Sequence, residues 1–305
     1  MDGILAWGLD VVRSVQTIAG PGLTVAMKVI TLLGTEWFFL AALPLIYWCV
    51  DRKRGVRISV LFLISSFTNL WCKDLFAQPR PFQLDPKVGL ASETSYGLPS
   101  GHAQGTVVFW GLAAPLFKKP WGLVLAIAMP LVVSFTRIYL GVHFPTDIFA
   151  GWILGILFLV VDYAFGDRLE RALSRLNTRL KVALAALLAL GMNALDMRDT
   201  SISGVFFGAA VGFSFLPKVA PYKTEGSLGQ KALRYLLGLA GAGIIYAGLK
   251  AVFPGQGSEL YALFRFIRYG LLGAWVSLGA PWVFSKLGLV ELEAAEAAPV
   301  ATAKE

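Results

Sequence analysis

A chain of 305 residues that is 56% hydrophobic and only 15% charged, with a mean hydropathy of +0.66, is too apolar for an ordinary soluble domain, so lipid is the solvent for most of it. The net charge of +8 is dispersed between apolar segments, which argues against a nucleic-acid binder and fits the enrichment of Lys and Arg in cytoplasmic loops. Cys49 and Cys72 both lie in apolar runs; they read as small buried hydrophobes, and no disulfide is assigned.

Residues 1–33 carry Asp10, Arg13 and Lys28 in an apolar pattern divided by Gly20-Pro21-Gly22. This predicts two short interfacial helices, with one tilted span as the alternative. Asp2 and Asp10, without a basic stretch ahead of a continuous apolar run, do not read as a cleavable signal peptide. From Thr35 to Val50 the chain is apolar and aromatic, about the minimum for a crossing, and ends in Asp51-Arg52-Lys53-Arg54 and Arg57, the strongest cytoplasmic signal present. Further spans are predicted near 58–76, 101–117, 121–142 and 145–165, with Lys118-Lys119 on the cytoplasmic side and the long loop Phe82 to Leu98 on the other.

A charged cytoplasmic helix is expected over 167–181. Beyond it, apolar segments near 182–195, 200–217, 232–253 and 261–285 predict an additional bundle within 182–289, with structural support or dimerisation as its expected role and a substrate-gripping wall as the alternative. Gly204, Gly208 and Gly212, four apart, would let a neighbouring helix approach closely. Arg265 and Arg268 lie inside the last segment. Intramembrane charge is a functional hypothesis by default, but snorkelling to the interface is the favoured reading here. Residues 290–305 read as a disordered tail. The fold class is all-α, a polytopic transmembrane helical bundle whose core covers 34–166.

Both histidines fall between Lys73 and Asp147, among three polar clusters that the predicted topology brings to one face: Lys73 with Arg80-Pro81, Pro99-Ser100-Gly101-His102, and Arg137 with His143 and Asp147. Ser100 reads as an N-cap and Pro145 as a first helical residue, so two helix starts offer N-H groups to an anion. His143 and Asp147 are four apart, close enough for the carboxylate to take the Nδ1 proton and leave Nε2 as nucleophile. Three cations, two imidazoles and a carboxylate suit a phosphate. No metal-binding set is recognisable, and no cofactor is implied.

The clusters Lys73-x6-Arg80-Pro81, Pro99-Ser100-Gly101-His102 and Arg137-x5-His143-x3-Asp147, in this order, resemble the tripartite signature of the type 2 phosphatidic acid phosphatase family, integral-membrane lipid phosphate phosphatases related to vanadium haloperoxidases. The resemblance covers roughly residues 30–165. One departure is Thr136, where the family usually has Ser. The resemblance implies a phosphatase core with about four extra C-terminal helices. It also implies catalytic roles for His143, His102 and Asp147, and phosphate binding by Lys73, Arg80, Ser100, Gly101 and Arg137.

The expected function is therefore a metal-independent phosphatase of lipid phosphates or diphosphates, working through a phosphohistidine at the non-cytoplasmic face of a cell inner membrane. The partners expected are a lipid phosphate substrate, membrane lipids and a second copy in a homodimer, with no nucleic acid. The alternatives are a phosphotransferase using the same phosphohistidine and a non-catalytic lipid transporter. Undecaprenyl diphosphate, phosphatidic acid, phosphatidylglycerophosphate and lipid A phosphates all present the same group, and residues 82–98, with Lys87, Glu93 and Tyr96, are the candidate discriminating loop.

Overall fold

A computed structural model describes residues 3–196 and 199–293. Among them, six helices are long and apolar enough to cross a membrane, or seven if the bent N-terminal pair counts as one span. The protein is an all-α, multi-pass membrane bundle.

The N-terminal stretch forms α1 (Gly3–Val15) and α2 (Pro21–Ile30), two helices with a 118° bend at the predicted break. Gln16 Nε2 donates to Val88 O and Tyr139 O, both at 2.8 Å, and Arg13 pairs with Asp85 at 2.8 Å. Leu9 and Val12 pack on Val88 and Phe144. The pair thus covers the long loop and the segment just before α8, which gives it a role in shaping the site that its amphipathic pattern alone did not suggest.

α3 (Glu36–Leu45) continues into a π-helical turn, Ile46–Val50. Asp51 caps the next helix, accepting from Arg54 N-H at 2.9 Å, and α4 (Arg52–Phe76) ends at Ala77, whose positive φ of 46° turns the chain into Pro79 and Pro81. A one-turn helix, α5 (Pro81–Leu84), opens the long loop. α6 (Gly101–Ala113), α7 (Trp121–Tyr139) and α8 (Pro145–Ser174) complete the core.

The charged segment expected as a separate helix is instead the last turns of α8 and the start of α9 (Thr178–Leu195), divided at the Asn177 cap. Nothing between Phe165 and Ser174 breaks helix geometry strongly enough to end α8 earlier. Arg57 of α4 also fastens it, holding Asp162 at 2.8 Å and Asp167 at 2.6 Å.

The extension comprises α9, α10 (Ser201–Val219), α11 (Leu228–Val252), α12 (Tyr261–Ala274), a second π-helical turn Trp275–Gly279, and α13 (Ala280–Lys286). α10 lies backbone to backbone on α12: a Cβ added at Gly208 would stand 1.8 Å from Gly270 O. The two π-helical turns meet. Tyr47 Oη donates to Ser277 O at 2.6 Å and Trp48 Nε1 to Val276 O at 2.9 Å, within a buried cluster that also holds Leu216, Tyr222 and Phe284.

Residues 290–293 do not fit the expectation of a disordered tail from residue 290. Leu289 and Val290 are buried, Leu292 bridges Tyr222, and Glu293 pairs with Arg52 at 2.8 Å. Apolar side chains and a charge partner tie these residues down; the rest of that stretch, 294–305, lies outside the described residues. Arg268, expected to snorkel, is instead buried at 8% exposure.

Candidate active site

The last turns of α4 and α7 and the first turns of α6 and α8 all open on one end of the bundle, so residues separated by up to 74 positions share one neighbourhood. Lys73 projects from α4, and its Nζ donates to Tyr96 O at 2.6 Å and Gly97 O at 3.2 Å. Arg80 is 2% exposed and spends its fork on the same loop: Nε donates to Ser95 O at 2.6 Å, and Nη2 to Ser95 Oγ and Tyr96 O, both at 3.0 Å. Its remaining nitrogen, Nη1, donates to Val142 O at 2.7 Å and meets His143 Nε2 at 3.0 Å. Among the described residues neither cation has a carboxylate in contact. Both are held by carbonyl oxygens, which fix position and leave positive charge for an anion.

His143 sits in the turn ahead of α8 and is 1% exposed. Its Nδ1 lies 3.1 Å from Asp147 Oδ2, which also accepts from Phe144 N-H at 2.9 Å. Because a guanidinium can only donate, Nε2 must carry the lone pair and Nδ1 the proton. Burial, followed by the charges of Arg80, Lys73, Arg137 and His102, holds the His143 imidazole well below its ordinary pKa of 6.5. The neutral ring is the resting form.

Ser100 caps α6 as anticipated, with Oγ accepting from Ala103 N-H at 3.4 Å, and its own N-H donates to Asp147 O at 2.9 Å. That second bond ties the α6 start to the α8 start. Gly101 follows as the first helical residue, and Asn69 and Gln104, joined at 2.8 Å, form a buried polar brace behind it. His102 occupies the same turn. Its Nε2 is buried without a hydrogen-bond partner among the described residues, and it lines a cavity of about 440 Å³ together with Arg137, Glu93, Glu36 and Lys28. Gly34 makes room for it: a Cβ there would stand 2.9 Å from His102 Cδ2. Arg137 is 3% exposed; Nη1 donates to Thr31 Oγ1 at 2.9 Å, Nη2 makes a short contact with Glu93, and Nε has no partner.

All eight predicted site residues therefore come to one end of the fold, with Lys73, Arg80, His143 and Asp147 in one connected network and His102 and Arg137 on the adjoining cavity. Thr136, the departure from the family pattern, is fully buried and donates to Val133 O at 2.6 Å within its own helix.

Sequence reasoning missed Gln78, Ser95 and Thr31. Gln78 Nε2 donates to Asp147 Oδ1 at 2.6 Å, so the carboxylate that faces His143 is held from both sides. The only signal for it was a polar residue ahead of Pro79-Arg80, where the chain is forced to extend. Thr31 was a single hydroxyl in an apolar run. Gln78→Leu removes one bond to the carboxylate, a loss of about 1.5 kcal/mol, and turnover should fall about tenfold with little change in KM. Steady-state kinetics of the purified variant check this.

Comparison with known proteins decides the family. The profile described as "PAP2 superfamily" matches residues 54–171, and that described as "PAP2 superfamily phosphatase, transmembrane extension" matches residues 200–295. The chain belongs to the PAP2 superfamily. The first match spans the PAP2 core from α4 into α8, and the second accounts for the added bundle. Sphingosine-1-phosphate phosphatase 1 of Mus musculus is 25% identical over 305 aligned residues, which cover 85% of this chain and 71% of that protein. An undecaprenyl-diphosphatase of Sulfolobus acidocaldarius is 38% identical over 136 residues, 41% of this chain and 62% of that one. The crystal structure of a transmembrane PAP2-type phosphatidylglycerolphosphate phosphatase from Bacillus subtilis aligns with a TM-score of 0.48 at 26% identity, over 55% of this chain and 88% of the other.

Proposed function

We propose that this PAP2 protein hydrolyses a lipid phosphate or diphosphate, without a metal, through a phosphohistidine on His143. The observation that carries the proposal is the seating of that imidazole: Nδ1 against Asp147 at 3.1 Å and Nε2 turned to Arg80 at 3.0 Å, with two carbonyl-held cations around it. A phosphoryl group entering here offers its oxygens to Arg80, Lys73 and Arg137, displacing Glu93 from the last of these. The Nε2 lone pair is then free to attack phosphorus in line.

As the Nε2–P bond forms, the P–O bond to the lipid breaks and the leaving oxygen takes a proton from His102, which enters the step as imidazolium, its charge offset by the bound phosphate, and leaves it neutral. Asp147 stabilises the positive charge that develops on the attacking ring. In the second step His102 removes a proton from water, the water oxygen bonds to phosphorus, and the Nε2–P bond breaks to release inorganic phosphate. The cations and the N-H groups at the start of α6 supply the charge stabilisation throughout.

The basic loop at Asp51–Arg54 and the Lys118-Lys119 turn lie at the opposite end of the bundle from the site. By the positive-inside rule this supports an active site on the non-cytoplasmic face of the cell inner membrane. The names of the relatives bring sphingoid-base phosphates and undecaprenyl diphosphate into the substrate class. The test is a panel of lipid phosphates and diphosphates with purified protein and excess chelator, assayed for free phosphate. Release that persists with chelator is expected. Loss of release on chelation overturns the metal-free scheme, and phosphate recovered on another lipid or sugar identifies a transferase. Cysteine introduced at Lys87 should react with an impermeant maleimide from outside the cell; labelling only from the cytoplasmic side reverses the orientation.

The pH dependence follows from His143. Attack needs the neutral ring, which is lost as pH falls through the folded pKa, and that pKa lies below 6.5. The acid limb of kcat/KM should therefore lie below pH 6.5. Arg80→Gln removes a neighbouring cation that disfavours imidazolium, so the limb should move to higher pH while the rate falls. A limb that stays in place in this variant would mean that another group titrates.

A further inference from the structure

The packing of the extension leaves one buried cation unmatched. Arg268 makes no hydrogen bond among the described residues, and its Nε is buried without a partner. Its guanidinium lies beside an edge-to-face pair of rings whose centres are 6.1 Å apart, 5.4 Å from the centre of Tyr246 and 5.3 Å from that of Tyr269. Two further cations share those rings: Lys250 Nζ is 5.9 Å from Tyr246, and the Arg265 guanidinium is 5.9 Å from both Tyr269 and Tyr261. Of these three cations, Arg265 has a salt bridge among the described residues, to Asp199 at 2.9 Å.

Tyrosine faces offset part of the cost of removing a guanidinium from water, but they cannot accept its in-plane N-H bonds. A cation kept out of water in this way needs an anion to complete it. With both rings on one side of it, the guanidinium keeps N-H groups that neither ring can satisfy, and a planar fork of N-H donors suits a phosphate.

Location narrows the choice of anion. The cluster sits where α11 ends and α12 begins, at the same end of the bundle as the candidate active site. Glu36, which lines the catalytic cavity, lies within electrostatic reach of Asp199 and Arg265. α11 buries only 6% of its most apolar window inside the protein, and Tyr246 is 36% exposed, so the cluster is reached from the bilayer.

We infer that Arg268, Arg265 and Lys250, arranged on Tyr246 and Tyr269, form a second anion site that holds the phosphate of a membrane phospholipid at headgroup depth beside the catalytic cavity. The site is separate from the His143 network and does not depend on its chemistry. It gives the extension a task in recruiting or retaining lipid.

The test uses full-length protein in detergent and phosphatidylglycerol, whose phosphodiester is not a phosphatase substrate, with bound lipid counted by native mass spectrometry. Wild type and His143→Ala should both retain a phosphatidylglycerol in preference to phosphatidylcholine. Arg268→Gln should lose it at least about tenfold, and Lys250→Gln, an exposed change that leaves packing intact, should weaken it several-fold. A melting midpoint for Arg268→Gln within a few degrees of wild type excludes misfolding as the cause. Equal retention by wild type and both variants, no preference over phosphatidylcholine, or displacement by millimolar inorganic phosphate overturns the assignment to a lipid.

Discussion

Replacing His143 by alanine should lower phosphate release from a lipid phosphate by at least about a thousandfold, because the proposed covalent intermediate forms on its Nε2. Arg80 Nη1 would lose its contact at Nε2, and Asp147 would keep Gln78 and the Phe144 N-H as partners. Lys73 and Arg80, two of the proposed phosphate-binding cations, keep their loop carbonyl partners, and Arg137 keeps Thr31, so substrate should still bind. The expected pattern is a collapse of kcat with KM little altered. Brief incubation of wild type with labelled lipid phosphate, followed by an alkaline quench, should leave label on the protein that acid removes, as a phosphoramidate requires; His143→Ala should carry none. A labelled His143→Ala protein would move the nucleophile elsewhere.

The second large effect is on folding. Gly208→Val should destabilise the protein by about 3 kcal/mol or more, since overpacking already costs 1–3 kcal/mol where side chains can yield. Here the obstacle is the backbone carbonyl of Gly270, 1.8 Å from an added Cβ. α10 and α12 would have to separate along their whole contact. Gly243→Ala, with open space around the new methyl group, is the matched control and should be tolerated. Thermal unfolding in detergent distinguishes them: a lowered midpoint for Gly208→Val alone is expected, and equal midpoints would contradict the close crossing.

The spans and the site were legible for different reasons. Apolar runs, basic loops and the Ser100 and Pro145 helix starts are local signals, and they located the helices of both core and extension. The catalytic candidates could be picked out because charge is conspicuous in an apolar sequence and the chain holds only two histidines. Gln78 was hidden by the opposite circumstance: a glutamine in a loop is unremarkable until the loop folds back on Asp147. The roles of Thr31 and Gly34 depend on a 118° bend that brings α2 over α7, and no local pattern encodes that angle. Arg268 is more buried than snorkelling predicts because Tyr246, from another helix, and Tyr269, the next residue, stand against its guanidinium.

The paired π-helical turns also bear on how small a working enzyme can be cut from this chain. The segment matched as the PAP2 core begins at residue 54, after Tyr47 and Trp48, which are almost wholly enclosed by α10, α13 and the turn at Trp275. A fragment stopped at the end of α8 would present two large aromatic faces, with their polar tips unanswered, to lipid that cannot hydrogen-bond them. Anyone trimming the protein for crystallisation or minimal-enzyme engineering should keep the chain through Val290, because the catalytic half borrows part of its interior from the other.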